Sequence, residues 1–121
     1  MKLIVLLMFV VGCAKKPVQT GKASWYGPGF RGNATASGET FRPRKRTAAH
    51  KTLPFGTVVK VTRTDTGESV RVVINDRGPY AAGRVIDLSR RAARRIDMIN
   101  DGVAQVELKV VGCRQRYDRC K

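Results

Sequence analysis

The chain has 121 residues, of which 24 are lysine or arginine and 9 are aspartate or glutamate, so its formal net charge is +15. This length accommodates one domain and argues against a multidomain machine. Hydrophobic residues make up 42% of the chain, which suits a globular core, but no apolar run reaches the roughly 18 residues of a membrane-spanning helix. The charge indicates an anionic partner, which is nucleic acid, anionic lipid or an acidic polymer.

The N-terminal segment predicts export. A lysine precedes the unbroken apolar run of residues 3–11, which is too short to span a bilayer but typical of an export signal. The run ends in VVGC at Cys13, which resembles the bacterial lipobox that is cleaved before a lipid-carrying cysteine. We therefore predict a signal peptide over residues 1–12 and a lipidated anchor and tether over residues 13–22. The alternatives are an ordinary signal peptide or a buried strand with an unrelated cysteine. Because Ala14 rather than aspartate follows the cysteine, we expect the periplasmic face of the outer membrane.

Export restricts the kinds of partner and cofactor that can be expected for this chain. Outside the cytoplasm the positive charge indicates wall polymers and lipid head groups, and no nucleic acid is expected. Cys113 and Cys120 form an even pair in an oxidising compartment, which predicts a disulfide. No metal is expected, because these cysteines and His50 lack the spacing of a zinc site. No cofactor is expected either, because the GxGxxG match at residues 27–32 lacks the helix and acidic residue of a dinucleotide site.

The folded domain is predicted over residues 23–121, where apolar and polar residues mostly alternate as in strands. The predicted elements, in chain order, are strands over 23–26, 57–63, 69–74 and 103–111 and a helix over 90–100 capped by Ser89. The second and third strands are joined by a turn that contains Asp65 and Gly67. Short strands with long connections and one helix favour a small β-barrel over a sandwich.

Five motifs, in one order, resemble those of the rare lipoprotein A family. They are ASWYG from Ala23, TASGE from Thr35, TAAHKTLPFGT from Thr47, NDRGPY from Asn75 and RVIDLS from Arg84. The resemblance implies a mainly β fold, a six-stranded double-psi β-barrel. It also implies lytic transglycosylase activity, which cleaves the bond between N-acetylmuramic acid and N-acetylglucosamine in peptidoglycan. Such cleavage leaves a 1,6-anhydro-muramyl end, and the family prefers strands stripped of stem peptides.

The resemblance implies catalytic roles for Glu39, His50 and Asp76, and Asp87 matches a site acid of expansin-like relatives. Glycosidic cleavage needs one carboxyl that donates a proton to the leaving oxygen. A second carboxylate can stabilise the positive charge that develops on the sugar. The other acidic residues lie in the turn, the helix, the last strand or the tail, which leaves the same three carboxyls. Other roles stay open: an Asx turn or ion pair with Arg77 for Asp76, a helix cap for Asp87, and a structural bridge for His50. We expect the imidazole to hydrogen-bond a carboxylate and tune its proton affinity.

Four residues are predicted to contact substrate. Asp87 and Arg77 belong to the motif region, and an arginine there fits carboxylates of the wall. Trp25 and Tyr26 have flat rings that suit sugar faces, although alternation along a strand allows at most one of them to stack.

Three functions compete. The favoured one is an enzyme that acts on peptidoglycan glycan strands and is held at the membrane through its lipid anchor. The alternative is a non-catalytic, expansin-like lipoprotein that binds the wall, because a barrel does not dictate activity. A third is a structural lipoprotein that bridges outer membrane and wall or recruits division-site proteins.

Overall fold

Six strands close into a barrel in the computed structural model, which describes residues 18–114. The strands are β1 Val18–Trp25, β2 Thr47–Ala49, β3 Thr57–Arg63, β4 Ser69–Asp76, β5 Arg84–Leu88 and β6 Ala104–Cys113. A six-residue helix, α1 Arg90–Arg95, follows β5, and a short 3₁₀ turn occupies Pro28–Phe30. The architecture confirms the predicted mainly β fold, a six-stranded double-psi barrel with one short helix.

The order of strands around the barrel is β1, β5, β2, β4, β3 and β6. The pairs β1/β5 and β2/β4 are parallel, whereas the other neighbours are antiparallel. Parallel neighbours cannot be joined by a tight hairpin, so the chain crosses over the barrel between them. As a result, residues far apart in the sequence become neighbours where the last residues of β1 and β5 meet the last residues of β2 and β4, which run in the opposite direction.

The core is aliphatic, as the alternation of apolar residues predicted. Every strand contributes fully or nearly fully buried residues, including Val59 and Val61 of β3, Val72 and Ile74 of β4 and Val106 of β6. Val110, at the next alternating position after Val106 and Leu108 of β6, is only half-buried. The pairing of β3 with β6 shifts register between Val58 and Val59, where Val110 pairs, so the alternation does not continue to the strand end.

The first strand begins earlier than predicted. Residues 18–22 were assigned to a tether, but they pair with β6 from Val18 opposite Lys109 to Lys22 opposite Gln105. Their side chains are mostly polar and exposed, so backbone pairing rather than apolar alternation defines this part of β1. Residues 1–17, with the predicted lipidation site Cys13, and residues 115–121 lie outside the described part of the chain.

The helix is shorter than the predicted segment of residues 90–100. Ser89 caps it as predicted, and its Oγ accepts a hydrogen bond from the Ala92 amide at 3.3 Å. The helix ends at Arg95, and Asp97 then adopts a positive φ of 54°. This turn directs Ile96 and Met98 into the core, where both are fully buried. Within residues 18–114, no helix has the length and apolarity needed to cross a membrane.

Candidate active site

Four residues from four neighbouring strands form a row across the barrel wall. Ser24 of β1 pairs with Asp87 of β5, Asp87 pairs with Ala49 of β2, and Ala49 pairs with Asp76 of β4. Neighbouring strands lie about 4.8 Å apart, so the two carboxyl-bearing residues are about 10 Å apart at their Cα atoms. The small Ala49 stands between them in the row, and it is buried in a cluster with Tyr26 and Phe41.

A β-bulge turns Asp76 toward this row. The parallel pairing of β2 with β4 runs from Ala48 opposite Ile74 directly to Ala49 opposite Asp76, which leaves Asn75 as an extra residue. With regular alternation Asp76 would share the inward face of the fully buried Ile74. The extra residue reverses that direction, as bulges beside active sites commonly do.

The Asp76 carboxylate is fixed by three donors. The Tyr26 hydroxyl donates to Oδ2 at 2.6 Å. The backbone amides of Ala36 and Arg77 each donate to Oδ1 at 2.9 Å. The bond from the adjacent Arg77 amide is the local turn contact considered for this aspartate, whereas the other two come from distant segments. Asp76 is therefore half-buried and held as a hydrogen-bond acceptor on both oxygens.

Asp87 has a different environment. It is half-buried, and its Oδ1 accepts one hydrogen bond from the Ser24 hydroxyl at 3.2 Å. Burial raises the pKa of the Asp87 carboxyl, and the negative charge of Asp76 adds to this effect, while Ser24 and Arg84 oppose it. Asp87 does not cap α1, because Ser89 does. The two carboxyls thus sit close enough to influence one another, but in different hydrogen-bond environments.

Tyr26 supports the site but does not offer its ring to a sugar. The ring is 7% exposed and stacks on Phe41, with 4.3 Å between centroids, and it meets Phe30 edge-on. Burial and the neighbouring Asp76 raise the pKa of the hydroxyl far above its usual range, so it remains a donor. At most one of the two aromatic residues was expected to stack on a sugar. That prediction now concerns Trp25, which is half-buried at the end of β1.

Glu39 lies on the loop beside the bulge. Its Oε1 accepts a hydrogen bond from the Asn75 amide group at 3.3 Å, and Asn75 directly precedes Asp76. The loop closes on β4 through the Ser37 amide, which donates to the Asn75 carbonyl at 3.2 Å. The structure thus brings Glu39 close to the carboxyl row through the one residue that the bulge adds.

His50 does not hydrogen-bond a carboxylate, and that expectation is wrong. Its Nδ1 accepts from the backbone amides of Thr52 and Leu53, both at 3.1 Å, and its Nε2 lies 2.8 Å from the Gln19 side-chain oxygen. This pattern defines the neutral tautomer with a proton on Nε2, and burial together with Arg77 and Lys51 lowers the pKa of the imidazole. Residues 50–53 carried no sequence signal for this local ring-to-backbone bonding.

The Arg77 guanidinium forms its hydrogen bonds with backbone carbonyls. It donates to the carbonyl of Leu53 at 2.8 Å and to that of His50 at 3.2 Å. It also lies 4.1 Å from the centroid of the Phe55 ring. The ion pair considered between Arg77 and Asp76 is absent from the described residues, whose two ion pairs both involve Arg63. Arg77 therefore holds the loop after β2 against the end of β4.

Residues that sequence reasoning missed are Ser24, Ala49 and Gln19. Alternation along β1 puts Ser24 on the same face as Tyr26, so its position could have been found from the sequence. Ala49 and Gln19 gain their roles only from the strand order. Cys113 is disulfide-bonded, but its predicted partner, Cys120, lies outside the described residues. Within residues 18–114, no group of three or more His, Cys, Asp or Glu side chains is arranged to hold a metal ion.

Comparisons with known sequences agree with this geometry. A family model described as lytic transglycolase matches residues 18–108. The chain is 58% identical over 96 residues to a protein of Synechocystis sp. named "Probable endolytic peptidoglycan transglycosylase RlpA", covering 79% of this chain and 30% of that protein. It is 54% identical over 92 residues to the "Endolytic peptidoglycan transglycosylase RlpA" of Campylobacter jejuni, covering 76% of this chain and 34% of that protein. The chain thus spans about a third of these curated relatives, and the resemblance seen in the five motifs is confirmed.

Solved structures share the fold. The Streptomyces papain inhibitor matches with a TM-score of 0.65 and 24% identity, covering 79% of this chain and 96% of that one. The apo expansin of Clavibacter michiganensis matches with a TM-score of 0.62 and 24% identity, covering 79% of this chain and 51% of that one. At this level of identity the likeness concerns the barrel alone.

Proposed function

Since the chain belongs to the lytic transglycolase family, we propose that it is an endolytic peptidoglycan transglycosylase. It cleaves the bond between N-acetylmuramic acid and N-acetylglucosamine and leaves 1,6-anhydro-muramyl ends. The observation that carries the proposal is the pair of unlike carboxyls, Asp76 and Asp87, on either side of Ala49. Within the described residues this pair, with Glu39 beside it, supplies the chemistry that glycosidic cleavage needs.

Asp87 is the proposed proton donor. A general acid must carry a proton at the working pH, and burial raises the pKa of the Asp87 carboxyl in that direction. It protonates the glycosidic oxygen as the bond to the muramyl C1 breaks. The resulting carboxylate then takes the proton from the muramyl C6 hydroxyl, whose oxygen attacks C1. The proton is returned to the same group, and no water enters the product.

Asp76 is the proposed stabiliser of the positive charge that develops at C1. Three hydrogen bonds fix its carboxylate, and among the described residues no lysine or arginine side chain forms an ion pair with it. A preorganised charge of this kind acts without reorganising during the reaction. The sequence leaves open which carboxyl donates the proton, and the burial of Asp87 together with the three donors on Asp76 supports this division of roles.

Glu39 and His50 complete the proposed site. Glu39 has a carboxylate next to the bulge and is proposed to contact the sugar on that side. His50 is proposed as a positioning residue, because its ring holds the loop of residues 50–53 that Arg77 also contacts. Trp25 is proposed to stack on a sugar ring.

The proposed setting is the cell envelope. Peptidoglycan glycan strands are the proposed substrate, with preference for strands that lack stem peptides. The lipobox-like VVGC segment supports lipidation at Cys13 and anchoring at the periplasmic face of the outer membrane. Division-site proteins are further proposed partners, and the pairing of Cys113 with Cys120 is the proposed disulfide.

The test is digestion of intact and amidase-stripped peptidoglycan by the purified chain, with products identified by mass spectrometry. We expect anhydro-muramyl products from the wild type and a loss of about a hundredfold or more in Asp87→Asn, because a general acid contributes about 10² to 10⁴ in rate. Asp76→Asn and Glu39→Gln should also reduce activity. Asp97→Asn and Glu107→Gln are matched controls on exposed residues, and asparagine tolerates the positive φ at residue 97.

A non-catalytic wall-binding protein would give a different result. It would bind peptidoglycan without releasing products, and the carboxyl variants would bind as the wild type does. That outcome would contradict the proposed activity.

A further inference from the structure

A concave basic surface adjoins the carboxyl row. It encloses about 1050 Å³ and is lined by seven arginines, which are all four arginines of α1 together with Arg31, Arg44 and Arg46 from the long connection between β1 and β2. We call this surface the arginine groove. The α1 arginines are exposed, whereas Ala92 and Ala93 of the same helix are buried. On a convex surface these arginines would simply be surrounded by water. Here the loop arginines Arg31, Arg44 and Arg46 line the same concavity.

The positive charge of the arginine groove is not balanced within the protein. Among the described residues that line it there is no aspartate or glutamate. None of its arginines forms an ion pair with a described carboxylate, because the two ion pairs between described residues both belong to Arg63. Like charges concentrated in a concavity repel one another and attract an anionic ligand. Arginine is also the side chain that pairs best with a planar carboxylate.

The shape of the groove is built by specific contacts. The Arg91 amide donates to the Pro43 carbonyl at 3.0 Å, and the Arg91 guanidinium donates to the Arg44 carbonyl at 3.2 Å. These bonds fasten the loop to the start of α1, so the two rows of arginines keep a defined separation. A solvated charged face would not need such a fastening.

The groove also has flat apolar surfaces. Trp25, Pro28 and Pro43 line it between the arginines. An indole ring does not help to bind a simple anion, but it packs well against the apolar face of a pyranose ring. The combination of arginines and a half-buried indole therefore fits a sugar polymer that carries negative charge.

The groove is linked to the carboxyl row through Tyr26, although none of the four residues of the row lines the groove itself. Tyr26 lines it, and the hydroxyl of the same residue bonds to Asp76 at 2.6 Å. A second concavity shares Arg44, Arg46 and Arg91 with the groove and reaches Glu39. The groove therefore lies near Asp76 through Tyr26, and near Glu39 through the second concavity.

We propose that the arginine groove is a subsite for anionic glycan, in which the arginines bind the carboxylates that muramyl residues carry next to the cleaved bond. The inference rests on the proposed function for the identity of the polymer. It predicts that the charge of the glycan, and not only its sugar backbone, determines binding. A chitin oligosaccharide is the matched neutral ligand, because it has the same N-acetylated backbone without lactyl groups.

The test compares a peptide-free muramyl–glucosaminyl oligosaccharide with a chitin oligosaccharide of equal length, by calorimetry on the full chain. The chain carries Asp87→Asn in these titrations so that the ligand stays intact. The groove variant adds Arg44→Gln and Arg94→Gln. The control variant adds Lys60→Gln and Lys109→Gln, which removes the same charge from an exposed, paired position on β3 and β6. A third variant, Arg44→Lys with Arg94→Lys, keeps the charge and checks that the loop is intact.

We expect the groove variant to lose about tenfold or more of its affinity for the muramyl ligand, since each lost charge-assisted hydrogen bond is a large share of a weak binding energy. The control variant should lose less than about twofold at moderate salt, because its lysines are screened from the groove. Chitin should bind more weakly and should not distinguish the variants. The lysine variant should keep most of the affinity.

Three results would overturn the inference: equal losses in groove and control variants, equal affinity for the two ligands, or a groove variant that binds vesicles of anionic phospholipid less well but binds the muramyl ligand unchanged. The last result would assign the groove to a membrane surface. Charge-selective binding by a chain whose wild type cleaves nothing would contradict the proposed function alone. Cleavage by a wild type whose binding ignores the groove arginines would contradict the inference alone.

Discussion

At the residue scale, Tyr26 connects a packed aromatic cluster to the carboxylate of Asp76. Its ring is buried between Phe30 and Phe41, while its hydroxyl holds Oδ2 of the carboxylate. A residue expected to touch substrate is thus better described as a positioning residue.

Tyr26→Phe tests this role. The ring contacts remain, and a hydrogen bond to a charged group, worth about 1.5 to 3 kcal/mol, is lost. We expect kcat/KM for glycan cleavage to fall by about tenfold or more with a small change in Tm. Tyr80→Phe is the matched control, because Tyr80 is 80% exposed. Unchanged cleavage by Tyr26→Phe would show that the hydroxyl does not position Asp76.

The proton affinity of Asp87 gives a second prediction at this scale. The positive charge of Arg84 lowers the pKa of Asp87 and opposes the effect of burial. Arg84→Gln removes that opposition, so the carboxyl keeps its proton to higher pH. We expect the basic limb of the kcat/KM profile to move to higher pH, with Lys109→Gln leaving it in place. A shift to lower pH, or no shift, would argue against Asp87 as the acid.

At the element scale, β3, β4 and β6 could be predicted from alternation, because each buries one face against the core. β2 and β5 could not, since they have three and five residues and lie between neighbours that determine their conformation. The same limit applies to residues 18–22, which have no apolar pattern but complete the pairing of β1 with β6. The bulge at Asn75 also has no sequence signal, although it decides where Asp76 points.

Gly21 gives a test of the early start of β1. A Cβ atom at this position would lie 2.5 Å from Cγ1 of Val85 on the neighbouring strand β5. We expect Gly21→Ala to reduce the free energy of unfolding by about 1 to 3 kcal/mol through overpacking. Val85→Ala should relieve the clash, so the double variant should lose less than the sum of the two single losses in urea unfolding. Additive losses would mean that residue 21 does not pack against β5.

At the scale of the whole molecule, the site arises from the crossing of the chain. The row contains Ser24, Ala49, Asp76 and Asp87. Its first and last members in sequence are 63 positions apart, and the strand order makes all four neighbours. The motifs indicate Glu39, Asp76 and Asp87 from the sequence alone. What they do not indicate is that packing raises the pKa of the Asp87 carboxyl, because desolvation depends on the fold rather than on the residue type.

The net charge of +15 also acquires a location only in the folded molecule. The arginines of α1 and those of the loop are separated in sequence and meet across the groove. The sequence predicted an anionic partner, and the fold concentrates a large part of the charge beside the carboxyl row.

The most direct measurement is digestion of peptidoglycan in heavy-oxygen water, with products read by mass spectrometry for the wild type and for Asp87→Asn. If the muramyl C6 hydroxyl attacks C1, the new ends are anhydro-muramyl and contain no heavy oxygen, and Asp87→Asn forms almost none of them. Incorporation of heavy oxygen at the new ends would instead show hydrolysis by water. Cleavage that persists in Asp87→Asn would contradict the assignment of this carboxyl as the acid.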